Sequence, residues 1–261
     1  MLEQAAAHSE NTAIVSASGE YTYQELIADS AHLADVLRSA GPTGDVEIED
    51  LTVELLRNEA QGKAAPSLQH VASLIPRGVD DLDERRVAFM CPPDAAYVVS
   101  LWAIWRAGGV TVPLCTAHPA DELRYVLRDS GADLLIIHPL YAELLRPLAE
   151  ELEITTIDYV HAMRSAPAPA LPYSEPVPSL RRDAPVASDL ERRAHIVYTS
   201  GTTGRPKGVV HTHTAIAAQV IDLVDAWGWQ SDDRILHFLP LHHTHGEPAV
   251  FTRVTVYLSK S

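Results

Sequence analysis

Cysteine, long apolar runs and positive charge are all scarce in this chain of 261 residues, and each scarcity excludes a class of protein. The two cysteines, Cys91 and Cys115, lie in apolar sequence surroundings. This placement favours buried thiols in a reducing compartment over a disulfide framework. No apolar run reaches the length that a membrane-spanning helix needs. The net charge of -15 argues against nucleic acid or an anionic membrane as the main partner.

The amino terminus also lacks the features of a targeting segment. Acidic residues occur early, and no arginine precedes Arg38, which is typical neither of a secretory signal nor of a mitochondrial presequence. We therefore expect a cytoplasmic protein, or a mitochondrial one if the true start is missing. The ordinary hydrophobic content of 46% indicates a globular chain with a sizeable core, arranged as one large or two small domains.

Short apolar runs alternate with segments whose apolar residues recur at helical intervals. Helices are predicted to begin after Thr22, whose spacing to Glu25 is that of a capping box, after Asp94, and at Pro119. The remaining predicted elements are helices at 140–152 and 214–227 and strands at 13–15, 86–90, 110–112, 134–137, 154–157 and 235–238. This alternation predicts βαβ units, and therefore an α/β fold in which helices cover both faces of a parallel-rich sheet.

Two segments interrupt the alternation of strands and helices. Residues 43–84 are acidic and polar without a strong period, and we interpret them as an insertion. Residues 165–189 contain repeated prolines, which predict an extended connector rather than a packed element. This connector leads directly to the strand that precedes the most informative loop of the chain.

That loop lies within Ile196-Val197-Tyr198-Thr199-Ser200-Gly201-Thr202-Thr203-Gly204-Arg205-Pro206-Lys207-Gly208-Val209. We predict a short strand, a loop of hydroxyls and glycines, and then a helix. Glycines allow consecutive backbone N–H groups to face one anion, and the hydroxyls of Ser200, Thr202 and Thr203 can donate to phosphate oxygens. Lys207 supplies a positive charge near the outer phosphates. The residues therefore predict a polyphosphate-binding loop rather than an ordinary surface turn.

Two familiar phosphate motifs do not fit this loop. A Walker A loop would need glycine at Pro206 and serine or threonine at Gly208, and the glycine spacing of a dinucleotide-binding fingerprint is also absent. The pattern Tyr-Thr-Ser-Gly-Thr-Thr-Gly-x-Pro-Lys-Gly instead resembles the signature of the adenylate-forming, or AMP-binding, enzymes. That superfamily includes acyl-CoA synthetases, luciferases and the adenylation domains of peptide synthetases.

The resemblance implies a reaction and a set of site residues. In this family the loop holds the β- and γ-phosphates of ATP, which arrives with Mg²⁺, while a carboxylate attacks the α-phosphorus. Lys207 is implied as a catalytic residue. The implied ATP-binding residues are Thr199, Ser200, Gly201, Thr202, Thr203, Gly204 and Lys207.

A second motif, Leu239-Pro240-Leu241-His242-His243-Thr244-His245-Gly246, resembles the segment that lines the acyl pocket in the same family. By this resemblance His243 is a catalytic residue that contacts the substrate carboxylate or the acyl-adenylate. An imidazole suits this role because it can donate a hydrogen bond to a carboxylate oxygen near neutral pH. The histidines here and at His211 and His213 fit no common zinc spacing, so we predict no metal ligands.

Within the family, residues 87–113 and 239–246 look most like malonyl-CoA synthetases, the group related to acyl-CoA synthetase family member 3. This implies a malonate-like acid as substrate and CoA as the acceptor. The resemblance covers an amino-terminal portion, so we expect residues 1–261 to form an incomplete AMP-binding domain without the carboxy-terminal domain. A catalytically inactive, truncated paralogue that at most binds nucleotide or a partner remains the alternative. A carrier-protein-dependent adenylation domain is disfavoured, since no carrier segment is visible.

Overall fold

The computed structural model describes residues 10–40, 81–159, 191–199, 204–229, 233–242 and 255–258. Its strands are β1 (Thr12–Ser16), β2 (Gly19–Thr22), β3 (Arg86–Met90), β4 (Val110–Pro113), β5 (Leu134–Ile137), β6 (Thr155–Asp158), β7 (Arg193–Thr199), β8 (Lys207–Thr212), β9 (Arg234–His237) and β10 (Thr255–Leu258). Its helices are α1 (Tyr23–Ala40), α2 (Ala95–Arg106), α3 (Ala120–Ser130), α4 (Ala142–Glu151) and α5 (His213–Trp227), with one 3₁₀ turn at Pro139–Tyr141.

Six of these strands form the main sheet, in the order β6-β5-β3-β4-β7-β8. Every neighbouring pair is parallel except β7 and β8, which are antiparallel. The other four strands form a second sheet in the order β2-β1-β10-β9, in which β10 runs parallel to both of its neighbours. The predicted α/β class with a parallel-rich sheet is confirmed.

Side chains of the central strands point alternately into two cores. Val87 and Phe89 of β3 belong to the core that also contains apolar residues of α1 and α2. Ala88 and Met90 belong to the core that contains residues of α3 and α4. Both faces of the strand are therefore dry, which explains why a buried parallel strand appears in sequence as a continuous apolar run.

Hydrogen bonds at the caps confirm the predicted helix starts after Thr22 and Asp94. The backbone N–H of Glu25 donates to Thr22 Oγ1 over 3.2 Å, and Thr22 N–H donates to Glu25 Oε2 over 2.8 Å, which is the reciprocal capping box. Asp94 accepts from the N–H of Ala96 over 2.8 Å at the start of α2. Helix α3 ends at Gly131 with φ +59°, a left-handed conformation that glycine adopts readily.

The segment after the phosphate loop differs from the prediction. A strand that was not predicted, β8 (Lys207–Thr212), follows the loop and pairs with β7, and the helix predicted at 214–227 then begins at His213. The physical reason is that Val209 and Val210 are β-branched and can pair across the hairpin with a strand that is already in the sheet. The helix predicted at 140–152 also begins later, since a 3₁₀ turn precedes α4.

Two predicted segments lie mostly or wholly outside the described residues, namely 43–80 of the insertion and all of the connector at 165–189.

Residues 81–84 are held to the start of β7 by ion pairs. Arg192 forms a two-pronged ion pair with Asp81 at 2.6 and 2.9 Å, and Arg193 lies 2.8 Å from Glu84. The hydrogen bonds from Arg193 hold the pKa of Glu84 below its usual range. None of the helices in the described part of the chain has the length and apolarity to cross a membrane.

Candidate nucleotide site

The two ends of the predicted phosphate loop, Thr199 and Gly204, lie where the fold favours a ligand. The parallel strands β3, β4, β5 and β7 all end at the same edge of the main sheet, and ligands of open α/β sheets bind outside the carboxyl ends of the strands. A cleft of about 950 Å³ opens at this edge. Its walls come from the end of β4, from α3, from the two ends of the loop and from His242.

Two of the predicted residues frame the loop. Thr199 is the last residue of β7 and Lys207 is the first of β8, and the two are paired in the hairpin. Thr199 Oγ1 donates to the backbone carbonyl of Lys207 over 3.5 Å. Both side chains are exposed, so each can reach a ligand in solvent. The hairpin thus places Thr199 and the backbone of Lys207 opposite each other at the two ends of the loop.

The remaining predictions divide into described and undescribed residues. Gly204 lines the cleft with φ +108°, a conformation that residues with a side chain rarely adopt, and a Cβ there would meet no atom within 4 Å. The backbone conformation, rather than lack of space, therefore explains why position 204 is a glycine. The predictions for Ser200, Gly201, Thr202, Thr203 and His243 fall outside the described residues and stay predictions.

Gly208 has a different reason to be glycine. It pairs with Tyr198 across the hairpin, and a Cβ at this position would lie 3.0 Å from Ile196 Cγ2 and 3.2 Å from Tyr198 Cζ. Glycine lets the tyrosine ring lie close against the backbone of β8. The signature glycine that follows Lys207 is thus required by packing.

Side chains of α3, which the sequence did not indicate, contact both ends of the loop. The Tyr198 hydroxyl donates to Asp129 Oδ2 over 2.8 Å, and the Tyr125 hydroxyl donates to the carbonyl of Pro206 over 2.9 Å. The Arg205 guanidinium lies 5.6 Å from the centre of the Tyr125 ring. Burial, and then the hydrogen bond to Asp129, raise the pKa of Tyr198, so its hydroxyl stays a donor at neutral pH.

The cationic side chains of the cleft and of the adjoining β8 differ in their availability to a phosphate. Arg124 and Arg128 both form ion pairs with Glu151, at 2.9 and 3.0 Å. Arg205 and Lys207, in contrast, form no ion pair with another described residue. Because unpaired cations attract anions more strongly than cations already neutralised by a carboxylate, the positive charge open to a ligand lies on the loop.

The second predicted motif also reaches the cleft. After β9, the backbone carbonyl of Leu241 accepts from the Tyr97 hydroxyl over 2.7 Å, which fixes this segment to α2. His242 lines both the main cleft and a small cavity of about 40 Å³ that Tyr97 and the buried His237 also line. Burial lowers the pKa of His237, which keeps this ring neutral. No group of three possible metal ligands occurs in the described parts of the chain.

The two thiols are predicted to differ in reactivity. Cys91 is 4% exposed, and burial raises the pKa of its thiol to about 12. Cys115 is only half-buried and lines the cleft. Because the thiolate is the nucleophile, iodoacetamide at pH 8 should alkylate Cys115 at least tenfold faster than Cys91. Peptide mass spectrometry of a time course measures both rates, and equal rates in the folded protein would contradict the assigned burial.

Comparisons with known proteins define the class. The family profile described as "AMP-binding enzyme" matches residues 68–256, so the chain belongs to this family of adenylate-forming enzymes. More particularly, its relatives include malonate–CoA ligases. It is 37% identical to human mitochondrial malonate–CoA ligase ACSF3 over 244 residues, which cover 93% of this chain and 35% of the relative. The corresponding ligase of Xenopus laevis is 36% identical over 238 residues, covering 91% of this chain and 34% of the relative.

Solved structures agree on the fold. Apo MatB from Rhodopseudomonas palustris superposes with a TM-score of 0.68 at 24% identity, covering 98% of this chain and 44% of that protein. O-succinylbenzoate CoA synthetase MenE from Bacillus subtilis, in complex with AMP, gives 0.66 at 23% identity, covering 99% of this chain and 55% of that one. The chain spans about a third of the length of the vertebrate relatives named above.

Proposed function

We propose that this chain is the nucleotide-binding part of an ATP-dependent acid–CoA ligase that activates a malonate-like acid. The observation that supports the proposal is the β7–β8 hairpin, in which Thr199 lines a cleft at the carboxyl edge of a parallel sheet and pairs with Lys207. Membership of the AMP-binding enzyme family supports the use of ATP. The malonate–CoA ligase relatives support the choice of acid and of CoA as the acceptor.

The proposed reaction has two steps. A carboxylate oxygen of the acid attacks the α-phosphorus of ATP, the bond from that phosphorus to the bridging oxygen breaks, and pyrophosphate leaves. The thiol of CoA then attacks the acyl carbon, and AMP leaves with the electron pair of the acyl–oxygen bond. Lys207 faces the departing pyrophosphate and offsets its charge, as oriented cations do in phosphoryl chemistry. Mg²⁺, arriving with ATP, supplies further neutralisation of the phosphates.

The remaining residues of the proposed site complete the phosphate and acid contacts. The hydroxyls of Ser200, Thr202 and Thr203, with the loop backbone from Gly201 to Gly204, would donate to the β- and γ-phosphates. His243 would hold the carboxylate of the acid. His242, its neighbour in sequence, lines the cleft, which supports an approach of the acid from this side.

Trapping of the acyl-adenylate tests this function and the choice of acid. The native polypeptide, purified from its source, is incubated with MgATP, hydroxylamine and one acid at a time from malonate, methylmalonate and acetate. We expect hydroxamate from malonate at a rate at least tenfold above that from acetate. Equal rates would contradict the malonate-like specificity. Binding of MgATP without hydroxamate from any acid would favour the alternative, a nucleotide-binding protein without turnover.

The cellular compartment is tested separately. We propose a cytoplasmic location, with a mitochondrial one as the alternative that the names of the vertebrate relatives support. Fractionation of the source cells, followed by an antibody against residues 86–137, distinguishes the two. Recovery with a matrix marker would overturn the cytoplasmic proposal.

A further inference from the structure

We propose that Tyr125 and Asp129 of α3 act as positioning residues that hold both ends of the phosphate loop and thereby fix Thr199 and Lys207 in register. We call Tyr125, Asp129, Tyr198 and Pro206 the loop anchor. The contacts of the anchor lie within this chain and involve no ligand. Its effect on ATP rests on the proposed function.

The geometry of the anchor joins the entry and the exit of the loop to one helix face. At the entry, the Tyr198 hydroxyl lies 2.8 Å from Asp129 Oδ2. At the exit, the Tyr125 hydroxyl lies 2.9 Å from the carbonyl oxygen of Pro206 and 3.3 Å from Asp129 Oδ1. Tyr125 and Asp129 are four residues apart in α3 and therefore lie on the same side of the helix. A single turn of α3 thus spans the gap between the two loop ends.

The contact at the exit is chemically specific. Proline has no backbone N–H, so the carbonyl is the only backbone group with which Pro206 can form a hydrogen bond. The Tyr125 hydroxyl donates to that carbonyl, and the adjacent Arg205 places its guanidinium 5.6 Å from the ring of the same tyrosine. A cation over an aromatic face is attracted by the ring. Tyr125 therefore contacts two successive residues immediately before Lys207.

The hydroxyls of Tyr125 and Tyr198 contribute hydrogen bonds in addition to the packing of their rings. The rings of Tyr125 and Tyr198 pack edge to face with centroids 6.5 Å apart, at the rim of the core shared with α3 and α4. Phenylalanine would preserve this packing. The hydroxyls add hydrogen bonds that lead to Asp129 and to the loop. Replacing tyrosine with phenylalanine therefore separates positioning from packing.

Position matters because the loop residues must present their donors to one polyphosphate. A displacement of about 1 Å of a catalytic group can cost a large factor in rate. Thr199 and Lys207 are the residues next to the two anchored positions, Tyr198 and Pro206. Holding these neighbours in place means that less conformational freedom of Thr199 and Lys207 is lost when a ligand binds.

Limited trypsinolysis tests the anchor without any nucleotide. Trypsin cleaves after Lys207 but not at the Arg205–Pro206 bond, so the rate at Lys207–Gly208 reports local opening of the hairpin. We expect Tyr125→Phe, which removes the contact to Pro206, and Tyr198→Phe, which removes the contact to Asp129, each to raise this rate three- to tenfold, the factor that corresponds to one lost hydrogen bond. Tyr141→Phe, which removes a hydroxyl near the end of β5, serves as the matched control and should leave the rate unchanged.

Circular dichroism and the rates at other tryptic sites separate local from global effects. An unchanged rate at Lys207–Gly208 in both anchor variants would overturn the proposal. A parallel increase at every tryptic site would also overturn it, because that pattern indicates general destabilisation. An increase confined to Lys207–Gly208, with an unchanged thermal transition, is the result that the anchor predicts.

Protection by MgATP connects the anchor to the ligand. In the wild-type chain, MgATP should slow cleavage after Lys207, and Tyr198→Phe, which removes the hydrogen bond to Asp129, should raise the MgATP concentration for half-protection at least threefold. If MgATP gives no protection but the variants still open the hairpin, the anchor stands and the proposed function fails. If MgATP protects wild type and variants at the same concentration, the positioning role fails while nucleotide binding stands.

Discussion

Replacing Lys207 with alanine is expected to slow malonate-dependent pyrophosphate release by about 10²–10³-fold in the complete enzyme, the usual effect of removing one oriented group that stabilises a transition state. Lys207 is exposed at the start of β8, and among the described residues it forms no ion pair that would neutralise it. Its charge is therefore available to the pyrophosphate as negative charge builds on the leaving group. A coupled enzymatic assay for pyrophosphate measures the rate.

Two further variants make this result specific. Arg146→Ala removes the same amount of charge from α4, where Arg146 pairs with Asp158, and should retain the wild-type rate. Lys207→Arg keeps the charge but changes its shape, and should recover part of the lost rate. A wild-type rate of pyrophosphate release in Lys207→Ala would contradict a role of this residue in the reaction. Equal losses in Lys207→Ala and Arg146→Ala would attribute the effect to net charge.

Replacing Phe89 with alanine should cost about 3–5 kcal/mol of folding free energy, the range for truncation of a buried aromatic residue. Phe89 is 0% exposed in β3, the strand between β4 and β5, and its ring centroid lies 5.0 Å from that of Tyr97. Removal of the ring would leave a cavity between the sheet and α2, which the fixed strands on either side cannot close. Urea unfolding followed by tryptophan fluorescence gives the free energy.

A matched apolar truncation at the surface provides the control. Leu140 is 68% exposed in the turn before α4, so Leu140→Ala should change the free energy of unfolding by less than about 0.5 kcal/mol. Phe89→Leu should fall between the two, because it removes less volume. A loss below about 1 kcal/mol for Phe89→Ala would contradict the packing of α2 against the main sheet.

The buried elements could be predicted from sequence because their signals are local. The strand 134–137 is a run of four apolar residues that ends at the residues expected, and the capping residues Thr22 and Asp94 act on N–H groups two or three positions away. In such elements the residues that decide the structure are neighbours in the chain. Local pattern and three-dimensional environment then agree.

The strand β8 and the loop anchor could not be predicted in this way. Residues 207–212 contain β-branched valines, but so short a segment becomes a strand only because β7 offers a partner. Tyr125 reaches Pro206 across 81 residues, and Asp129 reaches Tyr198 across 69. In sequence, a tyrosine on an amphipathic helix such as Tyr125 cannot be distinguished from a residue that only packs at the edge of the core. The sequence signature predicted a phosphate-binding loop, whereas the residues that contact its two ends, Tyr125 and Asp129, are far from it in the sequence.

The most direct test of the account is calorimetric titration of this chain with MgATP and with AMP, before and after Lys207→Ala. If the β7–β8 hairpin binds the β- and γ-phosphates, MgATP should bind at least tenfold more tightly than AMP to the wild-type chain. Lys207→Ala should abolish most of that preference while leaving AMP affinity unchanged. Equal affinities for MgATP and AMP, or a preference that survives Lys207→Ala, would contradict the assignment of this hairpin to the phosphates of ATP.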